Sequence, residues 1–392
     1  MNFQLSKAAA DLKAEAREFF NAKLRPIADK RDAQGPLTRQ ELRDLIKLVE
    51  PLGWVTAPIP RKHGGTERSV LERAVIGEEA ARVWPAFATT IDTHMGVAAA
   101  ACVRGADWMR EKYLAGAIEG SIIFCDMVSE PQAGSDTRRF KTLARLEGDH
   151  YVVNGEKIWQ TNGPWADVGL LTAITDPELY AKDPKQGTIR LLVDKKESEW
   201  KVRDIPFMGL RAGTTGHMVF ENMRVPKRNV LGEISNAYSD TLKLRGWARV
   251  SLAAKAVGIM QGALEDAIAF AKERVAFNKP LGGHQLIQDM IASMAIDLDA
   301  SRLLAYRAAE MMDHGIRCDA EQAIAKAFAT EAAKRVTDMA LQIHGARGLT
   351  TEEGYRTERM FRDARVYTIP EGSTQILKLI IGRQLLGIQA FS

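Results

Sequence analysis

Two stretches with helical periodicity flank a stretch that alternates like strands. Residues 5–24 set Leu12, Ala16, Phe19 and Phe20 on one side and charged residues on the other, which predicts an amphipathic helix ended by Pro26. The same period continues through residues 42–49 until Pro51-Leu52-Gly53, resumes over 70–83, and becomes almost wholly apolar over 87–104. A helix that apolar is buried, so Asp92 within it is costly unless it is paired or meets a ligand. From Ser121-Ile122-Ile123-Phe124-Cys125 the period shortens to that of strands, with further runs at 143–146, 151–153, 157–159, 168–174, 188–193 and 218–220. Glu147-Gly148-Asp149 and Asn154-Gly155 read as turns between them. Beyond Asp240 long helical units return at 248–271, 285–312, 320–343 and 376–386, lengths suited to a four-helix bundle. The fold class expected is mainly α with a central β-domain: an N-terminal helical domain (1–120), a middle β-barrel or sandwich (121–234) and a C-terminal four-helix bundle (235–392).

Composition narrows the function classes. At 392 residues the chain is long for one core, and 46% hydrophobic with 27% charged residues is ordinary for a globular protein. The net charge of +4 is spread without a Lys/Arg block, which argues against a nucleic-acid partner. Cys102, Cys125 and Cys318 lack metal or redox spacing, and no metal site is expected. An odd cysteine count and no targeting segment point to a reducing compartment, so a cytoplasmic location is expected, with no membrane-spanning run. No dinucleotide fingerprint, P-loop or nucleophile elbow is present.

Four segments carry candidate chemistry. In Arg362-Asp363-Ala364-Arg365-Val366-Tyr367-Thr368-Ile369-Pro370-Glu371-Gly372-Ser373-Thr374-Gln375, read as the end of a loop opening the last helix, Pro370 stiffens the approach and Gly372 admits a close ligand. Glu371 stands where main-chain N–H groups collect; alone, this is an ordinary helix-start acid. Met127-Val128-Ser129-Glu130-Pro131-Gln132-Ala133-Gly134-Ser135-Asp136 leaves a strand through a Gly/Ser turn whose N–H groups could bind an anion or a carbonyl. Lys157-Ile158-Trp159-Gln160-Thr161-Asn162-Gly163 offers an indole and a hydroxyl, although a strand Trp is more often core. Arg274-Val275-Ala276-Phe277-Asn278-Lys279-Pro280-Leu281, with Gln285, presents a guanidinium fork suited to a phosphate pair.

Taken together, these segments resemble the acyl-CoA dehydrogenase family over essentially the whole chain. Arg362-Asp363-Ala364 through Ile376 is similar to its C-terminal signature, and the resemblance implies that Glu371 is the base that removes an α-proton. It implies bound FAD, faced by Met127, Ser129, Trp159 and Thr161, with Ser373 and Gln375 nearby. Arg274, Phe277 and Gln285 would meet the FAD of a neighbouring subunit, and Gln342, Gly345 and Ala346 of Gln342-Ile343-His344-Gly345-Ala346-Arg347-Gly348 would form another cofactor loop. Ser135, Arg249 and Gly372 would touch the thioester, and Asp92 would line the distal acyl pocket. Gly209-Leu210-Arg211 and Val225-Pro226 resemble the family's closing scaffold. Departures are Gly246, beside Arg245, where the family has an acid; Ala346 and Asn278 where it has Gly; and Pro370 where it most often has Tyr.

The function implied is α,β-dehydrogenation of an acyl-CoA to the 2-enoyl-CoA, with electron-transfer flavoprotein as acceptor and a homotetramer built as a dimer of dimers. Pro370 and a carboxylate at Asp92 disfavour a long alkyl chain and favour a short, branched or cyclic acyl group, with Asp92 as a hydrogen-bonded core acid or a second base. Three alternatives stand beside this: a flavin oxidase or monooxygenase on the same fold, a dehydrogenase of a carrier-protein thioester, and a flavin-free helical assembly protein.

Overall fold

The structure is a computed structural model that describes residues 4–234, 237–352 and 356–388, with the main chain alone for 237–245. Helix α1 (Lys7–Phe19) starts on Ser6, whose hydroxyl accepts from the Ala9 N–H. The helical path does not stop at Pro26. A π-turn over Phe20–Leu24 leads straight into α2 (Arg25–Arg31), where Pro26 occupies the first turn. Proline removes one N–H and crowds the preceding turn; the wider π-turn takes up both effects.

Capping boxes open α3 (Arg39–Val49) at Thr38/Glu41 and α4 (Val70–Val83) at Ser69/Glu72. Helices α5 (Pro85–Arg104) and α6 (Asp107–Ile118) complete the N-terminal layer. Contrary to the sequence reading, α5 is long and apolar enough to cross a membrane; here it is mostly buried inside the protein.

The middle region is one sheet of β1 (Phe124–Met127), β2 (Leu143–Glu147), β3 (His150–Thr161), β4 (Val168–Ile174), β5 (Thr188–Asp194), β6 (Lys201–Asp204) and β7 (Thr215–Pro226), with the short helix α7 (Pro177–Lys182) before β5. The order is β1-β4-β2-β3-β7-β6, and β5 pairs with β4. Asn154-Gly155 is no turn: β3 runs through it, and its pairing with β7 shifts register between Val153 and Gly155 and again between Ile158 and Gln160. A β-bulge absorbs the extra residue that the sequence presents as a hairpin signal.

Helix α8 (Ala237–Glu273), a hairpin of β8 (Val275–Ala276) and β9 (Lys279–Pro280), α9 (Gln285–Asp313) and α10 (Asp319–His344) begin the last region. Helix α11 (Thr357–Tyr367) and α12 (Thr374–Leu386) close the described chain. Helices α8, α9 and α10 pack together with α12 on α10, forming the expected bundle. Residues 362–367, read as loop, belong to α11, whose Met360, Asp363, Ala364 and Tyr367 are buried at helical spacing. The acid at 363 conceals an otherwise plain period.

Helix α4 lies against α8 because two glycines allow it. A Cβ on Gly258 would stand 2.1 Å from the Glu78 carbonyl oxygen, and one on Gly262 would stand 2.7 Å from that of Arg82. This seam couples the N-terminal layer to the helix that carries Arg249.

Candidate active site

The turn between α11 and α12 presents Glu371. Thr374 N–H donates to the Thr368 carbonyl at 3.2 Å, closing a seven-residue loop, and Ser373 caps α12 by accepting from Ile376 N–H at 3.4 Å. Glu371 therefore precedes the cap rather than sitting in the first helical turn. Glu371 and Gly372 have φ of 57° and 97°. Left-handed backbone is unfavourable for glutamate, so the surroundings must hold it. Two cations do so from behind: Arg249 Nε donates to the Glu371 carbonyl at 3.4 Å, and Lys326 Nζ to the Gly372 carbonyl at 2.8 Å. The Glu371 side chain itself is half-buried.

Lys326 has no counterpart in the sequence reading. Its side chain is fully buried in α10, and burial pushes its pKa down to about 8, against the pull of Glu371 and Glu331. A lysine in an alanine-rich helix gives no sign of this; only the fold sets it under the turn.

Asp92 is paired. Its Oδ2 accepts from Lys255 Nζ at 3.0 Å and from the Ser251 hydroxyl, both on α8. Sequence reasoning missed both partners, although their spacing of four places them on one helical face. The cluster adjoins the turn through Tyr367, whose hydroxyl lies 2.8 Å from that of Thr89, one turn before Asp92. A side chain at Gly246 would meet Gln322, its Cβ lying 3.1 Å from the amide, so α10 crowds the position where an acid was expected; the Arg245 side chain lies outside the described residues.

The middle domain supplies a second group. Lys157 Nζ bonds the Val128 carbonyl and Glu130 Oε1, each at 2.8 Å. Glu130 also accepts from the N–H groups of Lys141 and Thr142. Burial would raise the Glu130 pKa, but Lys157 and these bonds outweigh it and hold the carboxyl below its usual range. This fixes the loop after β1 against β3, where the Ser129 carbonyl accepts from Ile158 N–H at 2.9 Å and Gln160 Nε2 at 3.0 Å. At the second bulge Trp159 adopts a φ of 66°, which turns its indole out of the sheet: it is 53% exposed and meets Phe207 edge-on. Thr161 is half-buried at the strand end. The Met127 side chain is sealed in the sheet core, which leaves its main chain as the part able to reach a ligand, and Ser135 is exposed on the turn.

Arg274, Phe277, Gln285, Gln342, Gly345 and Ala346 form a separate exposed group at the far end of the bundle. From Arg249 to Arg274 is 25 residues along and just past α8, on the order of 37 Å of helix, so these residues do not share a site with Glu371 in one chain. The β8–β9 hairpin turns through Phe277 and Asn278, both with positive φ, and leaves the Phe277 ring 91% exposed. Arg274 lines a cleft of about 530 Å³ with Phe270, His344, Arg347 and Arg356, and among the described residues it pairs with no carboxylate. An exposed indole beside hydroxyls on the sheet, and an unpaired guanidinium fork beside an exposed phenyl ring on the bundle, fit the ring system and the pyrophosphate of a flavin dinucleotide. Ser373 is engaged as a cap, and Gln375 is exposed on α12.

Comparison with known proteins gives matches along nearly the whole chain. The families described as acyl-CoA dehydrogenase N-terminal, middle and C-terminal domain match residues 6–121, 125–223 and 241–386. The chain is 37% identical to a cyclohex-1-ene-1-carbonyl-CoA dehydrogenase of Geobacter metallireducens, over 86% of this chain and 88% of that protein. It is 33% identical to the CarC subunit of a caffeyl-CoA reductase-Etf complex of Acetobacterium woodii, over 95% and 96%. Among solved structures, a glutaryl-coenzyme A dehydrogenase with glutaryl-CoA superposes with a TM-score of 0.92 at 33% identity, covering 99% of this chain and 98% of that one. A prolyl acyl carrier protein oxidase superposes at 0.89 with 26% identity, over 98% and 100%.

Proposed function

The chain belongs to the acyl-CoA dehydrogenase family of FAD-dependent oxidoreductases, and on that premise we propose that it desaturates a compact acyl-CoA with Glu371 as the base. The observation that carries this reading is the Glu371–Gly372 turn, a carboxylate on left-handed backbone held by α8 and α10. An α-proton of a thioester leaves readily only when the charge growing on the carbonyl oxygen is stabilised. The Glu371 N–H donates to no protein group among the described residues, and we assign it to that oxygen. The Glu371 carboxylate takes the α-proton, and the electron pair of that C–H bond becomes the α,β-double bond as a hydride leaves the β-carbon. Bound flavin supplies the acceptor for that hydride. Met127 (through its main chain), Ser129, Trp159, Thr161, Ser373 and Gln375 would hold the cofactor, and Ser135, Arg249 and Gly372 the thioester.

The acyl group is read from the Asp92–Lys255–Ser251 cluster and from Pro370. A buried ion pair set against methylenes loses solvation without gaining a partner, so a short, branched or cyclic acyl group fits better than a long chain. The test is anaerobic titration of the holoenzyme with a panel of acyl-CoAs, following flavin absorbance. Compact and cyclic acyl-CoAs should bleach the flavin faster than palmitoyl-CoA, and Glu371→Gln should keep FAD while losing the bleaching. Rapid bleaching by that variant would remove Glu371 from the mechanism.

Because of its distance from Glu371, the Arg274 group is assigned to the FAD of a neighbouring subunit. Exposed Phe277, Leu286 and Ile296 on the bundle support a homotetramer, which light scattering should register. The relative from an Etf complex supports an electron-transfer flavoprotein as acceptor. A carrier-protein thioester is the second reading, favoured by Gly246 in place of an acid and by the carrier-protein oxidase among the structural neighbours. Turnover of an acyl carrier protein conjugate in preference to its CoA ester would select it.

A further inference from the structure

Lys326 is an unusual group to find under a catalytic turn. An ammonium taken wholly out of water is costly unless its surroundings compensate. Its Nζ is 2.8 Å from the Gly372 carbonyl oxygen, and the charged groups facing it are Glu371 on the turn, Glu331 on α10 and Arg249 on α8. Glu331 is already engaged, by Lys334 Nζ at 2.8 Å and by the Thr374 hydroxyl at 2.7 Å. Arg249 has the wrong sign. The Glu371 carboxylate is therefore the anion left to answer the Lys326 charge, while the Gly372 carbonyl answers its geometry.

We propose that Lys326 is a positioning residue for the proton transfer: it pins the Gly372 carbonyl, so the turn stays left-handed and the Glu371 carboxylate stays in its working position. This inference rests on Glu371 being the base. Glutamate and glycine in succession at positive φ form a turn that relaxes once its carbonyl contacts are lost, and relaxation would swing the carboxylate away from its working position. The two contacts are not equivalent. Arg249 holds the Glu371 carbonyl at a long 3.4 Å, so the shorter lysine bond is the firmer constraint. Burial brings the Lys326 pKa down to about 8, so its charge is lost in mildly alkaline solution, where an arginine would keep it.

The experiment compares wild-type holoenzyme with Lys326→Met, Lys326→Arg and Glu371→Gln. It reads FAD content, thermal midpoint against pH, and the pH profile of flavin bleaching by whichever acyl-CoA of the panel acts fastest on wild type. Lys326→Met should bind FAD and bleach at least ~10-fold more slowly, because the turn loses its shorter anchor and the carboxylate its position. Lys326→Arg should lack the alkaline fall near pH 8 that wild type shows. Without substrate, wild type should gain thermal stability as pH rises through and above 8, and Lys326→Met should lose that gain, since a depressed lysine favours folding more as the unfolded chain alone holds the proton. Bleaching by Lys326→Met at the wild-type rate, or an alkaline fall shared by wild type and Lys326→Arg, overturns the proposal. Either arm suffices if one variant fails to fold. Bleaching by Glu371→Gln would instead sink the assignment of the base, a separate failure.

Discussion

Lys255→Met should destabilise the protein more than its position on a long helix suggests. Lys255 Nζ and Asp92 Oδ2 are 3.0 Å apart, with the side chains only 4% and 13% exposed. Removing one member of a buried pair leaves the other charged and poorly solvated, typically at a cost of about 3–5 kcal/mol. Asp92 keeps the Ser251 hydroxyl, and Arg73, stacked on Trp247, is a second cation in its field, so the loss should fall near the lower end, about 3 kcal/mol. Replacing both partners, Asp92→Leu with Lys255→Met, removes the uncompensated charge and should restore stability to within about 1 kcal/mol of wild type or better. The assays are thermal unfolding of the three holoenzymes and the ratio of octanoyl-CoA to butyryl-CoA turnover. The order expected is wild type and double variant together, with the single variant below, and the double variant alone should shift turnover toward octanoyl-CoA. A double variant as unstable as the single one would show that packing rather than charge sets the cost. An unchanged chain-length ratio would detach the pair from the acyl site.

Two further outcomes follow from other buried contacts. Burial, reinforced by the nearby Asp32 carboxylate, pushes the Asp363 pKa up to about 7. The folded chain then holds a proton that the unfolded chain releases near pH 4, so this group's contribution is full in acid and is lost as pH rises toward 7. Asp363→Asn retains an acceptor for Leu210 N–H and should flatten thermal stability between about pH 4 and 7; an unaltered slope in that window, read by calorimetry, would refute the assignment. Gly258→Ala would place a Cβ 2.1 Å from the Glu78 carbonyl oxygen, so α4 and α8 must separate. A loss of about 1–3 kcal/mol and easier proteolysis between the N-terminal layer and the bundle are expected, and a wild-type midpoint would show that the seam is loose.

Much of the architecture was legible because helix and strand periods are local properties. The runs at 168–174 and 188–193 became β4 and β5 almost unchanged, and the long periods beyond 240 became α8, α9 and α10 within a few residues, apart from the extended start of α8. What was misread involved a local signal that a distant partner overrides. Asn154-Gly155 is a hairpin signal in isolation, but ten paired residues of β7 carry the strand through it. Pro26 is a stop in isolation, but buried Phe20 and Leu24 hold the chain in a π-turn that continues past it.

For the site, the order of residues alone marked Glu371 and its glycine, because turn chemistry is written in consecutive positions, while Arg249 entered only through the family resemblance. It placed Asp92 in an apolar helix and required a partner without being able to say which. Tertiary structure supplied that partner in Lys255, brought Lys326 beneath the turn, and separated Arg274 from Glu371 by the length of α8. The physical reason is that the energy of a buried charge depends on which atoms of remote segments come within a few ångströms of it. That distance is decided only when helices far apart in sequence are packed side by side.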